Sequence, residues 1–159
     1  MLNRTAICLS LLIVAVFSIS VARAEKLPEN MALKAKVSAS SQFSGEYHPS
    51  QAINGSVSGS DWAVKGTQTG DFTLQWTKPV DAAQVVYWGR TTGAHIENFK
   101  DYEIYLDDAK KPAVKGKLEN REGAQLINFT KQKVTKIHIK FLSAHPNSPN
   151  SGAAEISVY

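Results

Sequence analysis

Cysteine is almost absent from this sequence. The single one, Cys8, lies in the first apolar stretch, so no disulfide can form within one chain. A secreted domain without disulfides depends on its core, or on a bound metal, for stability. Long apolar runs are equally scarce. The only one, Thr5 to Val21, follows Arg4 and ends in Ala22-Arg23-Ala24, a small-x-small cleavage pattern. It reads as a secretory signal peptide over residues 1–24, which predicts a secreted or periplasmic product. Ser10, Ser18 and Ser20 interrupt the run, which argues against a permanent membrane span. The flanks of Cys8 do not place it at a cleavage point, as a lipoprotein signal would. A dominant charge is missing too. Eighteen Lys and Arg stand against 14 Asp and Glu, and removing Arg4 and Arg23 lowers the net charge from +4 to +2. The basic runs Lys110 to Lys117 and Lys131 to Lys140 are broken by apolar or acidic residues. They read as solvated strand faces, and no nucleic-acid partner is expected. Catalytic signatures are also lacking. There is no Gly-x-Ser-x-Gly elbow, no His-x-x-x-His pair and no phosphate-cradling glycine loop, so no enzyme is expected.

The remaining chain, residues 25–159, has the length of one domain. Its apolar residues recur with a period of two, the period of a half-buried strand. Lys34 to Ser40 alternates weakly. Phe72, Leu74 and Trp76 alternate cleanly, Lys78-Pro79 reads as a turn, and Ala83 to Trp88 reads as a central strand. Asp101 to Leu106, Val114 to Leu118, Ala124 to Phe129, Val134 to Leu142 and Ala153 to Tyr159 complete the set. The lysines of Val114 to Leu118 suit an edge, where they discourage unwanted pairing. In Val134 to Leu142, Ile137, Ile139 and Phe141 face one way and Lys136, His138 and Lys140 the other. Glu25 to Ala32 reads as an extended lead-in, Ser50 to Ile53 as a helical turn, and Thr91 to Phe99 as a polar loop. About eight short strands without a convincing helix predict an all-β antiparallel sandwich or barrel.

The chain is organised around Ala52-Ile53-Asn54-Gly55-Ser56-Val57-Ser58-Gly59-Ser60-Asp61-Trp62. Asn54-Gly55 is a turn signal, because both residues tolerate positive φ. Ser56, Ser58, Ser60 and Asp61 supply oxygens, and Trp62 closes the loop with an apolar anchor. Such a loop serves as a metal cradle, as a ligand platform or simply as a connection.

The order of these features resembles the discoidin, or coagulation factor V/VIII C-type, domain and the family 32 carbohydrate-binding modules of the same galactose-binding-like fold. The resemblance is carried by Asn30-Met31-Ala32-Leu33 with Val37 to Ser41, by Ala52-Ile53-Asn54-Gly55 with Trp62, by Phe72 to Trp76 and by Val85 to Arg90. Lys100-Asp101-Tyr102-Glu103-Ile104-Tyr105 and Ala153 to Tyr159 complete it. It implies a jelly-roll β-sandwich of two antiparallel sheets. It also implies a structural calcium ion, held by side-chain oxygens of Asn54, Ser60 and Glu155 and by carbonyls of Gln51, Ser56 and Ala154. Asn54 stands where the family has Asp, so Glu155 is the one carboxylate of that set. The implied partner is a galactose-type or related glycan, bound by loops at one end of the sandwich in a monomeric, non-catalytic domain. The residues implied are Glu46 and Arg90, with Tyr47, Phe43, His48 and His95 to assist. A carboxylate and a guanidinium suit vicinal hydroxyls. Trp62 and Trp76 match core positions; Trp88 stays undecided. The alternative is a discoidin-type adhesion module for a protein, envelope or membrane surface, with Phe43 and Tyr47 as the exposed spikes.

Overall fold

The computed structural model describes residues 28–59, 61–93 and 95–159. The expected leader and Ser60 lie outside the described residues. Within them the chain forms nine strands: β1 (Lys36–Ala39), β2 (Trp62–Ala63), β3 (Gly70–Gly89), β4 (Thr91–Thr92), β5 (His95–Ile96), β6 (Asp101–Leu106), β7 (Val114–Lys117), β8 (Ala124–Phe141) and β9 (Gly152–Val158). Three short 3-10 turns, Met31–Lys34, Gly45–Tyr47 and Pro49–Ile53, are the helical content of the described residues.

Three expectations are corrected here. Phe72 to Trp76 and Ala83 to Trp88 are one strand, β3, and Ala124 to Phe129 with Val134 to Leu142 merge into β8. Lys78-Pro79 does not turn the chain. The β3–β8 ladder shifts register between Gln75 and Val80, so Pro79 falls where no partner needs its missing N–H. Proline is tolerated in a sheet at such an irregularity. The segment from Thr91 to Phe99 is likewise more than a loop, because β4 and β5 form a small hairpin in it.

The long ribbon of β3 and β8 serves both layers of the jelly-roll sandwich. The first half of β3 pairs with β1 and with the second half of β8, which continues to β6 and β7. The second half of β3 pairs with the first half of β8 and with β9, which continues to β2. The two layers meet through aromatic rings. Trp62 and Tyr87 from one layer contact Phe72 and Phe141 from the other, with centroids 4.9 to 6.2 Å apart. Phe99 stacks on Phe141 at 4.0 Å. Tilted and offset pairs of this kind add to the burial of the rings.

Alternation decides what faces this core. Phe72, Leu74, Trp76, Ile104, Ile137, Ile139 and Phe141 are buried, while Asp71, Glu103, Tyr105, His138 and Lys140 take the outer face. There, His138 lies 2.8 Å from Asp71 and the Lys140 ammonium sits over the Tyr105 ring. β7 lies at the edge with Lys115 and Lys117 exposed. Trp62 and Trp76 are both core residues, and each indole N–H still finds a backbone acceptor. Trp62 Nε1 donates to Ser41 O and Trp76 Nε1 to Met31 O, both at 2.9 Å. Trp62 therefore ties the 41–48 loop to the core. Trp88 is half-buried, on the face of β3 that looks away from the Tyr87 core.

Candidate functional site

Three loops meet at one end of the sandwich around a cleft of about 700 Å³. The first loop brings Glu46 and Tyr47, the second brings Val57, Ser58, Gly59 and Asp61, and the end of β3 brings Gly89, Arg90, Thr91 and Thr92. Ala154 of β9 completes the lining.

Each loop is set by local chemistry. Ser44 caps the Gly45–Tyr47 turn by accepting the Glu46 N–H at 3.3 Å. The Asn54 side chain accepts the Ser56 N–H at 2.8 Å, and Ser56 Oγ donates to Ser58 O at 2.8 Å, so the second loop closes on itself. Gly55 and Gly59 take positive φ there (82° and 87°), where a side chain would be strained. At the end of β3 the ladder to β9 shifts register between Trp88 and Gly89, and such a shift re-aims the following side chain. Gly89 has no room for more. A Cβ there would come within 1.9 Å of the buried Asn98 Oδ1.

Arg90 is the hub. It is 5% exposed, with its Nε 2.8 Å from Asp61 Oδ2 and its Nη1 bonded to Glu97 Oε2. Thr92 Oγ1 also donates to Glu97 Oε2, at 3.0 Å, and the Glu97 N–H bonds Arg90 O at 2.9 Å. The β4–β5 hairpin is what returns Glu97 to Arg90. The guanidinium lies 5.1 Å from the centroid of the Tyr47 ring. Burial raises the Asp61 carboxyl above its ordinary pKa, and the charge of Arg90 beside it offsets part of that rise.

Of the residues expected from sequence, Glu46, Tyr47 and Arg90 share this cleft. Phe43 does not line it. It packs edge-on against Tyr47 at 5.5 Å and is 45% exposed. His48 turns to its own chain, where Nδ1 accepts the Ser50 N–H at 3.2 Å and caps the Pro49–Ile53 turn. His95 lines a separate depression with Thr92, Glu97, Asn147 and Pro149. Glu97 was missed as a site residue, and Asp61 was read only as one of the oxygens of the 52–62 loop, not as a partner of Arg90. Asp61 had a weak signal, since it directly precedes the core anchor Trp62. Glu97 had none.

Of the residues expected to hold calcium, Ala154 lines the cleft and Glu155 follows it in β9, while Ser60 lies outside the described residues. Glu155 is 2% exposed, and its Oε2 accepts the Gly55 N–H at 3.2 Å. Its Oε1 receives Asn30 Nδ2 at 3.4 Å and Ser157 Oγ at 3.5 Å. No cationic side chain forms an ion pair with it among the described residues. Burial, only partly offset by these donors, raises its carboxyl pKa to about 7. No group of three or more His, Cys, Asp or Glu suited to a metal occurs among the described residues. The calcium set is of another kind, one carboxylate with amide, hydroxyl and carbonyl oxygens. Asn54 Oδ1 accepts the Ser56 N–H. An oxygen-only set of this composition fits a hard cation with flexible geometry. A cation there would also relieve the unpaired buried charge of Glu155.

The chain belongs to the family described as Domain of unknown function (DUF7402), which it matches over residues 30–159. No curated protein matches it significantly. Among solved structures it is similar to CpGH89CBM32-5 from Clostridium perfringens in complex with GalNAc-β-1,3-galactose, with TM-score 0.69, 18% identity and coverage of 82% of this chain and 99% of that one. The family 32 carbohydrate-binding module of C. perfringens NanJ, in complex with galactose, gives TM-score 0.68 and 19% identity over 80% of this chain and 94% of that one. Chitosan-binding module 2 of a Paenibacillus sp. IK-5 chitosanase/glucanase, in complex with chitotriose, gives 0.64 and 14% over 82% and 99%. At these identities the likeness establishes the fold alone, an antiparallel β-sandwich. No helix among the described residues is long and apolar enough to cross a membrane.

Proposed function

We propose that this domain is a non-catalytic, monomeric, secreted glycan-binding module whose loop-end cleft takes a galactose-type or related pyranose. The observation that carries the reading is the buried guanidinium of Arg90, packed against the ring of Tyr47 in a cleft that Glu46 also lines. An immobilised donor with carboxylate acceptors around it suits a polyhydroxylated ring, and an aromatic wall suits its apolar face. The ligands named for the similar modules, galactose, GalNAc-β-1,3-galactose and chitotriose, support the class. Binding energy would come from a few hydrogen bonds and one aromatic contact, so affinity would be modest. The test is a glycan array on the intact protein, repeated with Tyr47→Ala. Binding that vanishes in a variant of unchanged melting temperature places the site; a well-folded protein that binds no glycan overturns the reading.

Asn54, Ser60 and Glu155 side chains, with carbonyls of Gln51, Ser56 and Ala154, would hold a structural calcium ion. The ion would fasten the 54–61 loop to β9 and supply positive charge beside Glu155, with no part in ligand chemistry. Melting in calcium and in chelator tests this.

A second reading, adhesion to a membrane or protein surface, draws on Phe43 and Val57, which are 45% and 49% exposed. Co-sedimentation with anionic and neutral liposomes separates it from the first.

A further inference from the structure

We propose that the cleft selects a sugar carrying a free ammonium, a 2-amino-2-deoxy pyranose, over the same sugar N-acetylated and over acidic sugars. The inference rests on the glycan-binding reading of the same cleft and names the chemistry that it prefers.

Charge is the first argument. Two carboxylates, Glu46 and Asp61, line the cleft with one guanidinium, and a third, Glu97, already pairs with that guanidinium, so acidic side chains outnumber the one cation. No lysine lines the cleft. The basic residues that give the chain its positive balance include Lys36, Lys115, Lys117 and Lys140, on strands of the other layer. The cleft is an acidic spot on a basic protein.

Hydrogen-bonding capacity is the second. The fork of Arg90 is largely committed, with Nε buried in an ion pair with Asp61, though without an aligned hydrogen bond, and Nη1 bonded to Glu97. A carboxylate ligand is therefore denied the bidentate contact that makes arginine a good anion receptor. Acceptors are in surplus instead. Asp61 Oδ1 has no protein partner among the described residues, and neither carboxylate oxygen of Glu46 has one. An ammonium group brings three donors and no acceptor, which complements such a wall. N-acetylation removes the charge and replaces two of those donors with an acyl group.

The test is calorimetric titration of the intact protein with four probes. They are a β-1,4-linked glucosamine trimer, its fully N-acetylated form, galactose and glucuronate. The amine is expected to bind about tenfold tighter than its N-acetylated form at low salt, a difference of one charge-assisted contact. The advantage is expected to shrink in about 1 M salt, where the screening length falls to a few ångströms. In Glu46→Gln, whose side chain is on the surface, the ratio of amine to N-acetyl affinity is expected to fall severalfold. Equal or tighter binding of the N-acetylated trimer, or of glucuronate, overturns the proposal and leaves the glycan reading intact. Absence of binding to every probe and to a wider array overturns both.

Discussion

Arg90 Nε and Asp61 Oδ2 stand 2.8 Å apart with side chains 6% and 18% exposed, and this pair joins two loops separated by the whole length of β3. Glu97 holds the same guanidinium from the other side. The group that lines the cleft is thus also a structural strut, and its removal would disturb fold and site together.

Arg90→Ala is expected to destabilise the domain by about 3–5 kcal/mol, because it leaves the buried Glu97 and the half-buried Asp61 without their cation. Thermal or urea unfolding reads this directly. A loss below about 1 kcal/mol would mean that Asp61 and Glu97 are solvated without Arg90. Loss of glycan binding in this variant is uninformative by itself; Tyr47→Ala is the cleaner probe.

Phe43 supports Tyr47 without lining the cleft. Phe43→Ala should weaken glycan binding by about two- to tenfold, the worth of one edge-to-face pair, while Tyr47→Ala weakens it more. Titration of both variants against one sugar orders them. A larger loss for Phe43→Ala would place the sugar on Phe43 itself.

Gly89→Ala is expected to cost about 1–3 kcal/mol and to distort the cleft, since the new methyl would overlap the buried Asn98 side chain. Unfolding midpoints and binding should fall together. A variant with wild-type stability would show that Asn98 has room to move.

Stability should depend on pH through Glu155. Its folded pKa, about 7, lies above its unfolded value. The native state therefore holds the proton more tightly, and this contribution is full at low pH and is lost as pH rises to 7. In chelator, the apo domain should melt progressively lower from about pH 4.5 to pH 7 once other groups are subtracted through Glu155→Gln. Calcium, by favouring the carboxylate, should reverse the trend. A calcium-independent melting temperature across that range would remove the metal from the loop.

Much of the sandwich was legible because burial writes a period of two into the chain. Ile137, Ile139 and Phe141 point inward and Lys136, His138 and Lys140 do not, as their alternation predicts. The unity of β3 was not legible. Pro79 is a local turn signal, and pairing on both sides of it overrides that signal from a distance. In the cleft, Arg90 was legible only through the family resemblance, at the position of that family's arginine after a central strand. Its partners were not, because Asp61 and Glu97 reach it through a register shift and a two-residue hairpin rather than through any spacing. The Ser50 N–H bond of His48 shows the converse, a residue whose local capping role fits the short pattern His48-Pro49-Ser50 better than any ligand contact.

β9 is the last strand made, yet it lies between β2 and β3 rather than at an edge. It also brings Ala154 to the cleft and Glu155 to the loop, and its Val158 N–H bonds to Asn30 Oδ1 at 3.0 Å. The sheet therefore keeps a central gap until Gly152–Val158 are made, and neither the ligand pocket nor the proposed ion cradle exists before then. Folding of this domain waits for β9, so a truncation or stop codon before residue 152 would leave an open-edged, aggregation-prone fragment rather than a weaker binder.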